Sequence, residues 1–144
     1  METWQDYQQK NKERFLNEMM ELLRTQSVSA KTENKKDMAI CTEAVKKSLL
    51  EAGEDKAEIM QTNGHPVVYG EKIIDKNKPT ILVYGHYDVQ PAEPLELWHS
   101  GPFEPVIKDG KVNSRGSDYD KGQLFMHVKA QKIMVKTNTM LTII

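Results

Sequence analysis

The chain has 144 residues, the size of one domain with room for a sizeable core, and 38% of them are hydrophobic and 28% charged, as in a globular protein with a solvated surface. Its 20 Lys and Arg nearly balance 21 Asp and Glu, and the two signs are mixed along the sequence, which argues against nucleic acid or an anionic membrane surface as a partner. The opening METWQDYQQKNKERF lacks the apolar core of a secretory signal, no run is long enough to span a bilayer, and the single cysteine, Cys41, makes no intramolecular disulfide, so the composition points to a reducing cytoplasm.

In chain order, Trp4 to Arg24 is rich in helix formers, with Trp4, Tyr7, Phe15, Leu16, Met19, Leu22 and Leu23 recurring at three- and four-residue spacing, the pattern of an amphipathic helix. Ser27, Ser29 and Thr32 interrupt it. A second helix is expected from about Asn34, with Met38, Cys41, Val45 and Leu49 on one face and Gly53 as its C-terminal cap. On that face Cys41 reads as a buried, inert thiol rather than a nucleophile.

From Ala57 the pattern changes. GHPVVYGEKII and PTILVYGHYDV are β-branched and aromatic, separated by KNKP. ILVY is apolar at every position, which predicts a strand buried on both faces in the middle of an α/β sheet. The proline-rich QPAEPLELWHSGPFEP must be irregular, with Trp98 and Phe103 as loop anchors. FEPVIKDGKVNSRG predicts a hairpin turning at Asp109-Gly110. A third helix is expected from Asp120 to about Lys136, and TNTMLTII looks like the opening of another strand, with an edge that would be sticky if uncovered.

Two stretches carry chemistry. In ILVYGHYDVQP a strand ends at Gly85-His86, with Asp88 two residues on; ligand sites in α/β sheets lie beyond such strand ends. A neutral imidazole is a good zinc ligand when a partner fixes its other nitrogen, and Asp88 is placed to do so. An H-x-D triplet alone reads more readily as a satisfied histidine at a strand end than as a ligand. In RGSDYDKGQ, Asp120 with Gln123 resembles a helix-start box in which the carboxylate caps the first free amides. Gly122 permits a close approach in the first turn, and Asp118 reads as a solvated turn residue. His65, His99 and His127 read as surface or structural histidines.

Together, GHYDVQP, WHSGPF, FEPVIKDGK and RGSDYDKGQLFMHVKA, in this order and spacing, resemble the N-terminal catalytic part of the dinuclear-zinc exopeptidases, the family of carnosinase-type dipeptidases, aminoacylase, succinyl-diaminopimelate desuccinylase and bacterial carboxypeptidases. The similarity runs from the first helix to about Lys136 and is nearest to the bacterial cytosolic dipeptidase branch. It implies an α/β fold: helices and central-sheet strands of a partial three-layer catalytic domain. On this expectation residues 1–144 are the N-terminal part of that domain, without its C-terminal half or the dimerisation domain.

The resemblance also implies roles. His86 matches the histidine that binds one of two zinc ions, and Asp88 matches the aspartate that orients it. The metal-bridging aspartate precedes the Asp120-Lys121-Gly122 triplet in the family, and here that position is Tyr119. Asp118 or Asp120 would be weak substitutes. A bridging carboxylate offers two oxygens and a full charge to two metals about 3.5–4 Å apart, whereas a phenol offers one oxygen with an ordinary pKa near 10. Thr25-Gln26 and Asn113-Ser114 stand where relatives carry apolar or aromatic groups. The family's general-base glutamate and remaining ligands have no match in the sequence.

The implied activity is hydrolysis of a peptide bond in a small peptide through a metal-bound water, with zinc as cofactor. The expectation for this chain alone is little or no turnover and at most weak or single-site zinc binding. Two alternatives stand beside it: a non-enzymatic fragment that associates with another chain, or with itself, through an exposed sheet edge, and a degenerate remnant.

Overall fold

Thr3 opens the first helix, its hydroxyl oxygen accepting the Asp6 amide at 3.1 Å, and α1 then runs Trp4–Arg24 with Asp6 in its first turn and Arg24 in its last, each charge opposing the helix dipole favourably. The computed structural model describes residues 2–139. α1 buries Phe15, Leu22 and Leu23. After a short turn of 3-10 helix at Thr32–Asn34, α2 spans Lys35–Ala52 and buries Met38, Cys41, Thr42, Val45 and Ala52. It stops at Gly53, whose φ of 101° is left-handed. A Cβ there would also stand 2.9 Å from Val135 Cγ1, so the cap needs glycine for conformation and for space.

β1 (Lys56–Met60) and β2 (Val67–Glu71) form an antiparallel pair with Glu58 opposite Tyr69. β1 is the element that sequence pattern missed. Its inward positions, Ala57 and Ile59, are only two, and they alternate with exposed Lys56, Glu58 and Met60, too faint a stripe to stand out beside the helices. β3 (Val106–Lys108) and β4 (Lys111–Asn113) form a second antiparallel pair. They turn through Asp109 (φ 52°) and Gly110 (φ 72°), two left-handed residues as the expected Asp-Gly turn requires. The proline-rich stretch between these pairs is irregular, with one short 3-10 turn at Leu95–Leu97. Within it Trp98 Nε1 donates to Ala92 O at 2.8 Å, and the Arg115 guanidinium lies over its ring.

α3 spans Asp120–Lys136 and closes at Thr137, whose amide donates to Ile133 O at 2.9 Å. The strand expected over residues 137–144 falls mostly outside the described residues; Thr137 and Asn138 belong to the helix's closing turn. α2 packs against β1, β2 and α3, and α1 packs against α3. The centre of this α/β arrangement is Leu22, Cys41, Val45 and Phe125, with Leu49, Val68, Tyr87 and Leu124 against them. Cys41 is fully buried, and its thiol donates to Tyr87 O at 3.7 Å, a packing role. Between α1 and α3, Lys129 is buried against the Phe125 ring at 4.4 Å and pairs with Glu18 at 2.6 Å, so its charge is met by a carboxylate and two aromatic faces.

Residues 81–84 correct the expectation of a strand buried on both faces. Ile81, Leu82 and Tyr84 are exposed, Tyr84 to 84%. The described strands form two separate two-stranded sheets, and residues 82–85 lie in neither. A strand is buried on both faces only when helices cover both sides of the sheet it joins; here α3 covers the inner face through Leu124 against Gly85, and nothing described covers the outer one.

Glu54 is buried where α2 meets β1, one oxygen accepting from Gln131 Nε2 at 2.6 Å and the other unpartnered. Burial pushes its carboxyl above the ordinary carboxylate range, against the pull of Gln131. A folded-state pKa above the unfolded one favours the protonated form, so its stabilising contribution is complete at acid pH and is lost as pH rises through the folded value. Glu54→Gln is therefore expected to raise the melting temperature at pH 7 and to leave it nearly unchanged at pH 4. Calorimetric melts at both values check this.

Candidate active site

Segment 85–89 leaves the open run with its polar groups already tied. The Val89 amide donates to Ser27 O at 2.9 Å, and Ser27 Oγ donates to Tyr87 O at 2.7 Å, fixing this segment to the loop after α1. His86 is thereby held half-buried between that loop and the start of α3. Its Nδ1 lies 3.0 Å from Asp88 Oδ1 and 3.2 Å from Asp88 O. The other carboxylate oxygen of Asp88 accepts from Ser29 Oγ at 2.5 Å. Ser29 O in turn lies 3.1 Å from His65 Nε2.

This network sets the chemistry of the ring. With both acceptors at Nδ1, the proton belongs there, and Nε2 keeps its lone pair for a ligand or proton. The pairing with Asp88 also fixes the orientation of the ring, as a carboxylate does behind a ligating histidine. Ser29 was not singled out by pattern; a serine in a serine-rich loop carries no signal, and its role follows from the fold bringing residue 29 to residue 88.

Asp120 is placed differently from expectation. The helix-start box is not formed: Tyr119 is the N-cap residue, with no side-chain cap bond, and Asp120 is the first helical residue. Its Oδ2 instead accepts the backbone amide of His86 and lies 3.9 Å from His86 Nε2. That approach depends on Gly85, where a Cβ would stand 3.2 Å from the same oxygen. Asp120 thus ties α3 to the end of the 81–86 run because the tertiary amide is within reach, while the helix's own first amides are met otherwise, Gly122 N donating to Gly116 O and Tyr119 O.

Tyr119 is 56% exposed and presents its ring edge-on to His86, 5.3 Å between centroids. Asp118 is exposed and lines a different hollow, with Trp98, Ser100, Lys108 and Lys111. His86, Asp88 and Asp120 are therefore brought together, and Asp118 is not with them. His127 is exposed but borders the same cleft as His86 and Asp88, a space of about 430 Å³ whose walls include Met38, Val45, Leu49 and Val128. His65 and His99 are exposed.

These donors do not fit a two-metal centre. One imidazole nitrogen faces a single carboxylate whose nearer oxygen is committed to an amide, and a phenol stands at the third corner. Among the described residues no three His, Cys, Asp or Glu side chains are grouped closely enough to hold a metal ion.

The residue most firmly built in is Lys121, which pattern alone gave no role. It is fully buried, and its ammonium donates to Thr25 O, Thr25 Oγ1 and Ser27 Oγ, each at 2.9 Å. Burial pushes its pKa down. All three donors are nevertheless satisfied, so the lysine pins the loop after α1 beneath the site. Thr25 supplies two of the three acceptors. Gly122 sits against the 116–117 turn before α3, where a Cβ would overlap the carbonyl oxygen of Ser117.

Comparison with known proteins places this geometry. Residues 82–144 match the family model described as Peptidase family M20/M25/M40. The chain is 32% identical over 128 residues to the cysteinylglycine-S-conjugate dipeptidase of Corynebacterium striatum, across 89% of this chain and 28% of that protein. Among solved structures it is similar to an M20 family metallo-carboxypeptidase from Sulfolobus solfataricus, with a TM-score of 0.79 and 31% identity over 90% of this chain and 28% of the other. It also shares the fold of human carnosine dipeptidase 1, with a TM-score of 0.82 and 23% identity over 94% of this chain and 31% of the other. The chain thus spans less than a third of each of these proteins.

Proposed function

We propose that this chain, which belongs to peptidase family M20/M25/M40, carries the framework and the first metal-site histidine of a dipeptidase-type catalytic domain acting on small peptides. The observation that supports this most is His86 at the end of the 81–86 run, its Nδ1 held 3.0 Å from Asp88 and its Nε2 free for a ligand. Zinc is the cofactor of the reading. Bound there, it would polarise a peptide carbonyl or acidify a water. The residues of this chain would contribute one nitrogen ligand, His86, and its support, Asp88. A cytoplasmic location belongs to the same reading, supported by a lone buried cysteine and by the mixed-charge surface.

Within that reading, the polypeptide 1–144 does not hydrolyse peptides by itself. Tyr119 occupies the position of the bridging carboxylate, and Asp120 is engaged with the His86 amide. Competition against a chromogenic zinc chelator, for wild type and Tyr119→Asp, tests the assignment without relying on activity. Wild type is expected to bind weakly and at one site, and Tyr119→Asp to bind at least about tenfold more tightly, close to 1.4 kcal/mol. Equal affinity in the two proteins would remove residue 119 from the metal position.

A further inference from the structure

We propose that Ser29 is a positioning residue for His86: its hydroxyl holds Asp88 so that the ring proton stays on Nδ1 and Nε2 keeps its lone pair. Two carboxylates reach this ring from opposite sides. Asp88 Oδ1 lies 3.0 Å from Nδ1, and Asp120 Oδ2 lies 3.9 Å from Nε2. A neutral imidazole carries one N–H, and the hydrogen bonds around the ring decide which nitrogen keeps it. Asp120 is anchored by the His86 amide. Asp88 has no such backbone anchor: among the described residues its carboxylate bonds only the ring and Ser29 Oγ, which donates to Oδ2 at 2.5 Å. The terminal torsion of an aspartate is broad, so without the hydroxyl Oδ1 can turn away from Nδ1, and the acceptor on the other side gains the proton.

Ser29 is itself held in place from both sides. Two residues earlier, Ser27 O accepts the Val89 amide at 2.9 Å, and Ser27 Oγ donates to Tyr87 O at 2.7 Å and accepts from Lys121 Nζ at 2.9 Å. Val28 is buried, and the Lys31 amide donates to Val28 O at 3.1 Å, closing the turn that contains Ser29. The carbonyl oxygen of Ser29 lies 3.1 Å from His65 Nε2. A hydroxyl fixed in this way orients Asp88 with little further loss of freedom, as the support behind a site residue must. Its functional meaning rests on the reading of His86 as a metal-site histidine, whereas the ring tautomer is a property of the metal-free chain. Zinc competition tests the first and the ring spectrum tests the second, so either can fail alone.

Long-range proton–nitrogen correlation spectra of the chain with a chelator present read the tautomer directly. They are taken at about pH 9, well above the ordinary imidazole pKa, with the His86 signals identified by their loss in His86→Asn. Wild type is expected to hold the proton on Nδ1. In Ser29→Ala the ratio of the Nδ1–H to the Nε2–H form is expected to fall at least about threefold, the effect of losing one hydrogen bond. Ser29→Thr keeps the hydroxyl and is expected to keep the wild-type ratio. A serine with a merely structural role would move the thermal melt and leave the ring spectrum alone. An Nε2–H ring in wild type, an unchanged ratio in Ser29→Ala, or an equal fall in Ser29→Thr overturns the proposal. Ser29 is half-buried in a loop, so the alanine variant is expected to fold; one that does not would assign the serine to stability and overturn the proposal as well.

Discussion

Gly122→Ala is expected to cost at least about 3 kcal/mol, enough to lower the melting temperature by roughly 10 °C in a domain of this size. The cause is backbone, so repacking cannot relieve it: the added methyl overlaps the Ser117 carbonyl oxygen and stands 3.1 Å from Ser117 C. Gly122 N also donates to Gly116 O at 3.1 Å, so the helix cannot withdraw without losing that bond. A helix-propensity argument predicts the opposite sign, since alanine exceeds glycine by about 1 kcal/mol inside helices. A thermal melt of the variant decides between the two, and a stabilised Gly122→Ala would show that α3 does not press on the 116–117 turn as described.

The second large effect is at Lys121. Lys121→Ala removes a buried stem and leaves three acceptors at Thr25 and Ser27 unmatched; the cavity and the lost bonds together are expected to cost about 3–5 kcal/mol. Lys121→Met fills the space but donates nothing, and is expected to cost about 2–3 kcal/mol. The burial that depresses the lysine's pKa works against the wild type, so the difference between the two variants measures packing, and the residual cost of Met measures hydrogen bonding net of desolvation. Urea denaturation of the three proteins separates these. A Met variant as stable as wild type would mean that the ammonium's bonds do no more than offset its burial.

These two residues also mark where sequence pattern is informative and where it is not. The three helices, the Gly53 cap and the Asp109-Gly110 turn were legible because their signals are local: periodicity, a left-handed position, a turn dipeptide. β1 was not, since two half-buried side chains make no stripe. The 81–84 run carried a correct signal of apolarity and β-branching, but burial is set by neighbours that a linear pattern does not contain. Asp120 shows the same limit: its spacing to Gln123 fits a cap, yet the His86 amide, brought up from 34 residues away, takes its carboxylate. The His86–Asp88 pairing was legible because two residues apart in sequence is still a local relation. Ser29 and Lys121 act across 59 and about 95 residues, and nothing local announces them.

Tyr119 joins both sides of this contrast. Its place beside the Asp-Lys-Gly triplet is a sequence observation, and its edge-on contact with His86 is a structural one. In the proposed reading both belong to one site, an oriented histidine beside a phenol at the position that the resemblance gives to a carboxylate. The most direct test is hydrolysis of a panel of dipeptides by the purified 144-residue chain with added zinc. No turnover above the protein-free control is expected. Zinc-dependent turnover that disappears in His86→Ala would contradict the reading of Tyr119 and show that this polypeptide assembles a working centre by itself.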